Sequence, residues 1–121
     1  MKLPNLYAIY GSLRRGLHNH EKFRPFLHYQ FSSWVKGFQL HSLGEFPFAI
    51  RTGEMEDVIL VEIFEIRNLA IEKEIDLLEL GYGYHIETIL IDEQPVKIYL
   101  FKEKANYPLV SGGDWMKFFR G

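Results

Sequence analysis

Residues 69–80 form the one long stretch with a helical period, and most of the chain around them reads as strand. Ile71, Ile75 and Leu78 recur at i, i+4 and i+7. Asn68 offers its side chain as an N-cap, and Gly81 or Gly83 is placed to end the helix. The strand runs are Leu6–Tyr10, which stops at Gly11; Trp34–Leu43, interrupted by Gly37; and Val58–Ile66, with a period of two. Tyr84–Asp92 and Val96–Lys102 follow, joined by a hairpin over Asp92–Pro95. Phe46-Pro47 reads as a turn or an edge. A short helix is expected from Asn19 or His20 through Leu27. Trp115, Phe118 and Phe119, after the Ser111-Gly112-Gly113 loop, are expected to dock on the core. Five or six strands and two helices that do not alternate exclude a doubly wound parallel sheet. They predict an α+β domain with a curled sheet.

Composition narrows the class further. The 121 residues are 47% hydrophobic and 16% aromatic, ordinary for a globular core built of large flat side chains, and are expected to form a single domain over 1–121. There is no cysteine, which excludes disulfides, thiolate catalysis and cysteine-bound zinc. No apolar run approaches a membrane span, and the opening residues lack the pattern of a signal peptide, so a cytoplasmic location is expected. The formal charge is −2, which gives no general attraction to nucleic acid. Charge is nevertheless uneven: residues 1–36 carry six basic side chains and one acid, and residues 45–79 carry ten acids and three bases. Either the surface is polarised or the two segments pair.

Three constellations could carry chemistry. The first is Tyr10-Gly11-Ser12-Leu13-Arg14-Arg15-Gly16, directly after a buried strand. Backbone N–H groups presented at such a turn can form a nest for a carboxylate or phosphate. The frame Gly11 to Gly16 continues as Leu17-His18, not Lys-Ser/Thr, so it is not a P-loop. Ser12 is not set in the Gly-x-Ser-x-Gly turn of a hydrolase nucleophile. The plainer reading is a loop with two solvated arginines. The second is Asp76-Leu77-Leu78-Glu79. A carboxylate in the last helical turn faces the negative end of the helix dipole, and Asp76, three residues earlier, adds like charge. Both raise the affinity of Glu79 for a proton, and burial would add to them, giving a general base of useful strength. The plainer reading is a surface glutamate. The third is the histidines His18, His20, His28, His41 and His85, which form no metal-ligand frame and are expected in solvated loops; no metal or cofactor is implied. Tyr82, Tyr84, Tyr107 and Trp115 suit the core or a pocket wall.

The strand followed by Tyr10-Gly11-Ser12-Leu13-Arg14-Arg15-Gly16, with Asn19-His20 after it, resembles the opening motif of the gamma-glutamylcyclotransferase-like family, which includes the gamma-glutamylamine cyclotransferases. Val35-Lys36-Gly37-Phe38, Gly44-Glu45-Phe46-Pro47 and Glu62-Ile63-Phe64-Glu65-Ile66 resemble further segments of that family. So do Ile75-Asp76-Leu77-Leu78-Glu79, with Tyr84 beyond it, and Ser111-Gly112-Gly113-Asp114-Trp115. The resemblance implies a small mixed β-barrel of five to six strands flanked by helices. It also implies a small-molecule gamma-glutamyl substrate that closes to 5-oxoproline, releasing an amine or amino acid. By the same resemblance Glu79 would be the general acid/base, and Tyr10, Gly11, Ser12, Leu13 and Tyr84 would bind substrate, with no metal, no cofactor, no nucleic acid and no membrane. Leu80 stands where the family usually has Gly after its glutamate, and Val61 where it has Gly before its Glu-Leu-Tyr-Glu strand. The same fold could instead serve as a non-catalytic module sensing a small carboxylate. A third reading, RNA or phosphate binding by Arg14, Arg15, Lys22 and Arg24, would show as steep salt dependence.

Overall fold

The computed structural model describes residues 5–11, 13–81, 83–102 and 106–119, with Phe119 described by its backbone alone. Among the described residues, seven strands and three α-helices follow one another as β1 (Leu6–Ile9), α1 (His18–Phe23), β2 (Leu27–Lys36), β3 (Phe38–Ser42) and β4 (Pro47–Arg51). Then come β5 (Val58–Ile66), α2 (Leu69–Gly81), β6 (His85–Ile91), β7 (Gln94–Leu100) and α3 (Trp115–Phe119). A 3-10 turn, Arg24–Phe26, joins α1 to β2. The architecture is α+β, as expected. Five strands form one mixed sheet in the order β2-β5-β1-β7-β6; β1 and β7 run parallel, and every other pairing is antiparallel.

The expected closed barrel is not formed. The five-stranded sheet ends in β2 at one edge and β6 at the other, while β3 and β4 make a separate two-stranded hairpin. The chain leaves the main sheet at Gly37, whose carbonyl accepts hydrogen bonds from the amides of Thr52 and Gly53 rather than from a strand partner. From there β4 touches the end of the main sheet by a bond from the Phe101 amide to the Ala49 carbonyl. The tail runs antiparallel beside β3 at Leu109, with the Val110 amide bonded to the Leu40 carbonyl and the Ser42 amide to the Pro108 carbonyl. The hairpin therefore caps the sheet without completing a ladder around it.

Local chemistry explains the elements that carry the site. Asn68 caps α2 as its sequence position suggests: its Oδ1 accepts from the amides of Ala70 at 3.0 Å and Ile71 at 3.2 Å. Ile75 is fully buried, with Ile71 and Leu78 packed partly against the same core. Replacing Ile75 by Ala should cost about 2–5 kcal/mol, as for other buried large-to-small changes. Denaturant unfolding measures it, and a loss below about half a kcal/mol would mean the buried face is wrongly assigned. The helix runs on through Gly81 and is closed at Gly83, whose amide bonds to the Leu80 carbonyl. The β6–β7 hairpin turns on Asp92 and Glu93, both with positive φ (51° and 65°), the backbone that matches strand twist in a two-residue turn. Trp115 is buried as expected, and Phe118 stacks on it at 5.6 Å while staying partly exposed. The expected docking of the Phe119 side chain lies outside the described residues. No helix among the described residues is long and apolar enough to cross a membrane.

Candidate active site

The end of β1, the loop after it and the last turn of α2 meet at one open cavity, with about 550 Å³ of empty space including solvent beyond its mouth. Tyr10, Gly11, Leu13, Glu79 and Tyr84 all line it. Ser12 and Tyr82 lie outside the described residues. The sheet order brings the loop and the helix end together. β1 is central in the sheet, and α2 packs its Ile75 face onto the core while hydrogen-bonding the side chains of β1 and β7.

The loop is not a solvated one. Arg14 is buried, and its Nε donates to Glu62 Oε2 at 3.2 Å while Nη1 donates to Asp114 at 2.9 Å. Glu62, also buried, accepts at its other oxygen from the Arg15 amide at 2.9 Å and the Arg15 Nε at 3.3 Å. Arg15 is half-exposed and lies 3.7 Å over the Tyr29 ring. At these arginines the basic N-terminal segment is paired with the acidic one, which settles their share of the charge asymmetry. A buried carboxylate needs such donors to offset its lost hydration. The histidines depart from expectation as well: His20 and His41 are buried. His20 Nδ1 donates to the Leu13 carbonyl at 2.9 Å, and His41 bonds Tyr107 and Gln39. No group of three potential metal ligands occurs among the described residues.

Glycine is required at position 11 by contact. A Cβ there would come within 2.9 Å of Pro47 Cδ, so the loop rests directly against a second wall of the cavity. Tyr10 contributes wall and backbone rather than a free phenol. Its hydroxyl donates to the Tyr99 carbonyl at 2.6 Å and accepts from the Ala49 amide at 3.2 Å. The Tyr84 hydroxyl donates to the Pro47 carbonyl, and its ring packs on Phe101 at 4.7 Å.

Glu79 is the carboxylate on the cavity, and its pKa is pushed up to about 7. Burial is the larger cause and the Asp76 charge the second; the dipole argument pointed in the same direction, but desolvation leads. Behind Glu79 lies a network that sequence reasoning missed. The Tyr99 hydroxyl donates to Asp76 Oδ1, and Tyr99 also lines the cavity. The Tyr7 hydroxyl donates to Glu72 Oε1 at 2.7 Å and sits 3.3 Å from Asp76 Oδ1; Lys97 Nζ donates to Glu72 at 3.0 Å. Burial and the neighbouring carboxylates push the phenols of Tyr7 and Tyr99 well above their ordinary range, and burial with Glu79 does the same for Tyr84. These phenols stay neutral and donate. No strand pattern marks Tyr99 or Glu62 in advance, because their partners lie far along the chain.

The family model for gamma-glutamyl cyclotransferase, AIG2-like, matches residues 7–117. The chain belongs to this family. Solved structures with the same fold include the uncharacterized protein PH0828 from Pyrococcus horikoshii, at 22% identity and a TM-score of 0.80, covering 96% of this chain and 93% of that one. The protein c4763, described as specific to uropathogenic E. coli, is similar at 21% identity and a TM-score of 0.80, covering 98% of each chain. YkqA from Bacillus subtilis is 28% identical with a TM-score of 0.71, over 95% of this chain and 40% of that one. No curated protein matches the chain. Of the segments that resemble this family, Tyr10, Gly11 and Leu13 of the loop and Glu79 of α2 border one cavity.

Proposed function

We propose that this protein cyclises a gamma-glutamyl group to 5-oxoproline and releases the attached amine or amino acid, with Glu79 as the general acid/base. One observation carries the reading: Glu79, its pKa pushed up to about 7, shares a cavity with Gly11 and Leu13. Family membership supports a cyclotransferase-type fold, and the mechanism is argued from the residues.

A gamma-glutamyl group carries its own nucleophile. Its α-amine can reach the γ-carbonyl to close a five-membered ring, so the protein must fold the substrate and move a proton. At neutral pH the amine is ammonium and cannot attack. The Glu79 carboxylate takes one proton from it; the freed nitrogen forms a bond to the γ-carbon, and the carbonyl oxygen gains charge. Backbone N–H groups after Tyr10 would hold that oxygen or the α-carboxylate. The γ-carbon then releases its original nitrogen, which Glu79 protonates with the proton it took. The ring nitrogen gives up its second proton, and the free amine takes one up, so that 5-oxoproline and an ammonium result. Tyr10, Leu13 and Tyr84 would enclose the chain of the substrate. The test is a screen of gamma-glutamyl compounds for 5-oxoproline release. Binding of such compounds with no release from any of them would favour a carboxylate-sensing module instead.

The pH dependence follows from the base. Glu79 acts when unprotonated, so the rate should climb with an acidic limb near pH 7. Asp76→Asn removes the like charge, which lowers the Glu79 pKa and moves that limb to lower pH. Burial remains, so the shift should be partial. A limb that does not move in Asp76→Asn would show that the acidic neighbour does not tune the base.

A further inference from the structure

We propose that His20 is a positioning residue of the substrate-facing loop: its Nδ1–H, donated to the Leu13 carbonyl, holds the loop in the shape that receives the substrate's carboxylate. The clamp stands on geometry; what the loop receives rests on the cyclotransferase reading. His20 is buried on α1, its ring tilted against Phe64 at 5.5 Å, and its neighbour Asn19 lines the cavity. A carbonyl only accepts, so Nδ1, 2.9 Å from it, must carry the proton.

The surrounding bonds show why this one matters. Leu13 C=O and Arg14 N–H are two ends of one peptide unit. The carbonyl goes to His20, and the amide donates to the Gly11 carbonyl at 2.8 Å. In the next unit the Arg14 carbonyl accepts from Leu17 at 3.1 Å and the Arg15 amide donates to Glu62 at 2.9 Å. Two successive peptide planes are thus held at both ends, by one side chain from α1 and one from β5. Gly11 and Leu13, on either side of the first plane's hydrogen bond, both line the cavity. Without the His20 donor the Leu13 carbonyl is left buried and unpaired, and the first plane loses half its restraint.

The test compares His20→Leu, similar in bulk with no donor, and His20→Asn, whose amide nitrogen can stand near the place of Nδ1. The full chain is used, with 5-oxoproline release for kinetics and 5-oxoproline itself as the binding probe. Leu is expected to raise KM and the probe's Kd about tenfold with kcat little changed, since Glu79 is untouched, and Asn to restore most of the loss. Wild-type KM in the Leu variant, or a loss that Asn does not restore, would overturn the clamp; the second result would make His20 a packing residue. Nitrogen NMR of the wild-type imidazole gives an independent readout should the variants not fold. A neutral ring protonated at Nδ1 supports the clamp, and one protonated only at Nε2 overturns it. If the wild type neither releases nor binds 5-oxoproline, the cyclotransferase reading fails, and the ring tautomer still decides whether His20 holds the loop.

Discussion

Glu79→Gln should reduce 5-oxoproline release by about 10²–10⁴-fold, the usual worth of a positioned general base. The amide keeps the size and much of the hydrogen bonding of the carboxyl but cannot take a proton from the substrate's ammonium. Affinity for a non-cyclising gamma-glutamyl analogue should change little, because the Gly11–Leu13 backbone is untouched. The fold should tolerate the change. The folded protein binds the Glu79 proton more tightly than the unfolded chain does, so the contribution of this group to stability is full below the ordinary glutamate pKa. It is lost as pH rises through about 7. A neutral glutamine removes that dependence, and thermal melts at pH 5 and pH 8 should lie closer together in the variant than in the wild type. Near-wild-type turnover in Glu79→Gln would remove Glu79 from the mechanism.

Gly113→Ala should be the most damaging of the small substitutions. Gly113 has a φ of +70°, and a Cβ there would stand 2.0 Å from the Val58 carbonyl oxygen, inside the backbone of β5. Its own carbonyl accepts from the Leu60 amide at 2.9 Å, so the tail continues the sheet at this point and cannot simply step away. Left-handed strain and forced overpacking together should cost about 3 kcal/mol. That lowers the melting temperature by on the order of 10 °C. Gly112→Ala is the control. Its φ is also positive, at +85°, but nothing lies within 4 Å, so it should lose only the strain, about 1 kcal/mol. Equal losses in the two variants would show that contact with β5 is not what demands glycine. Displacing Gly113 also moves Asp114 off Arg14, so activity should fall with stability in the first variant and not in the control.

What could be read in advance was local. Asn68 and the spacing of Ile71, Ile75 and Leu78 mark α2 because cap and apolar period are written within four turns of chain. β5 shows in its alternation, and the β6–β7 turn in the polar run that begins at Asp92. What was missed depends on partners elsewhere. β4 is five residues opening on Pro47, too short to show a period and easily read as a turn. The first half of β2 carries no strand signal: the helix expected before it runs to Leu27, and the strand expected after it begins at Trp34. Its register shifts between Tyr29 and Phe31, and the slip hides the alternation. The open sheet is decided by which edges find partners, which no single segment records. In the site, the proximity of the loop and Glu79 was suggested by family resemblance alone. The lead of burial over dipole at Glu79 became visible only with the cavity. Glu62 shows the limit most clearly: within its strand it is one polar residue in an alternation, and only folding reveals that it holds the backbone of a loop 47 positions away.

The placement of β1 has a consequence for how the molecule is made. β1 precedes the other strands in sequence yet lies in the middle of the sheet, between β5 and β7. Tyr10 finds the backbone of Tyr99, 89 residues further on, to complete its hydrogen bond. Most of these residues must therefore be in place before β1 has both neighbours; until β7 is made, only β5 can pair with it. Pairings of such long sequence separation form slowly. Until Glu62 and Asp114 are made, Arg14 and Arg15 lack the partners they hold in the fold and leave a charged flank beside that strand.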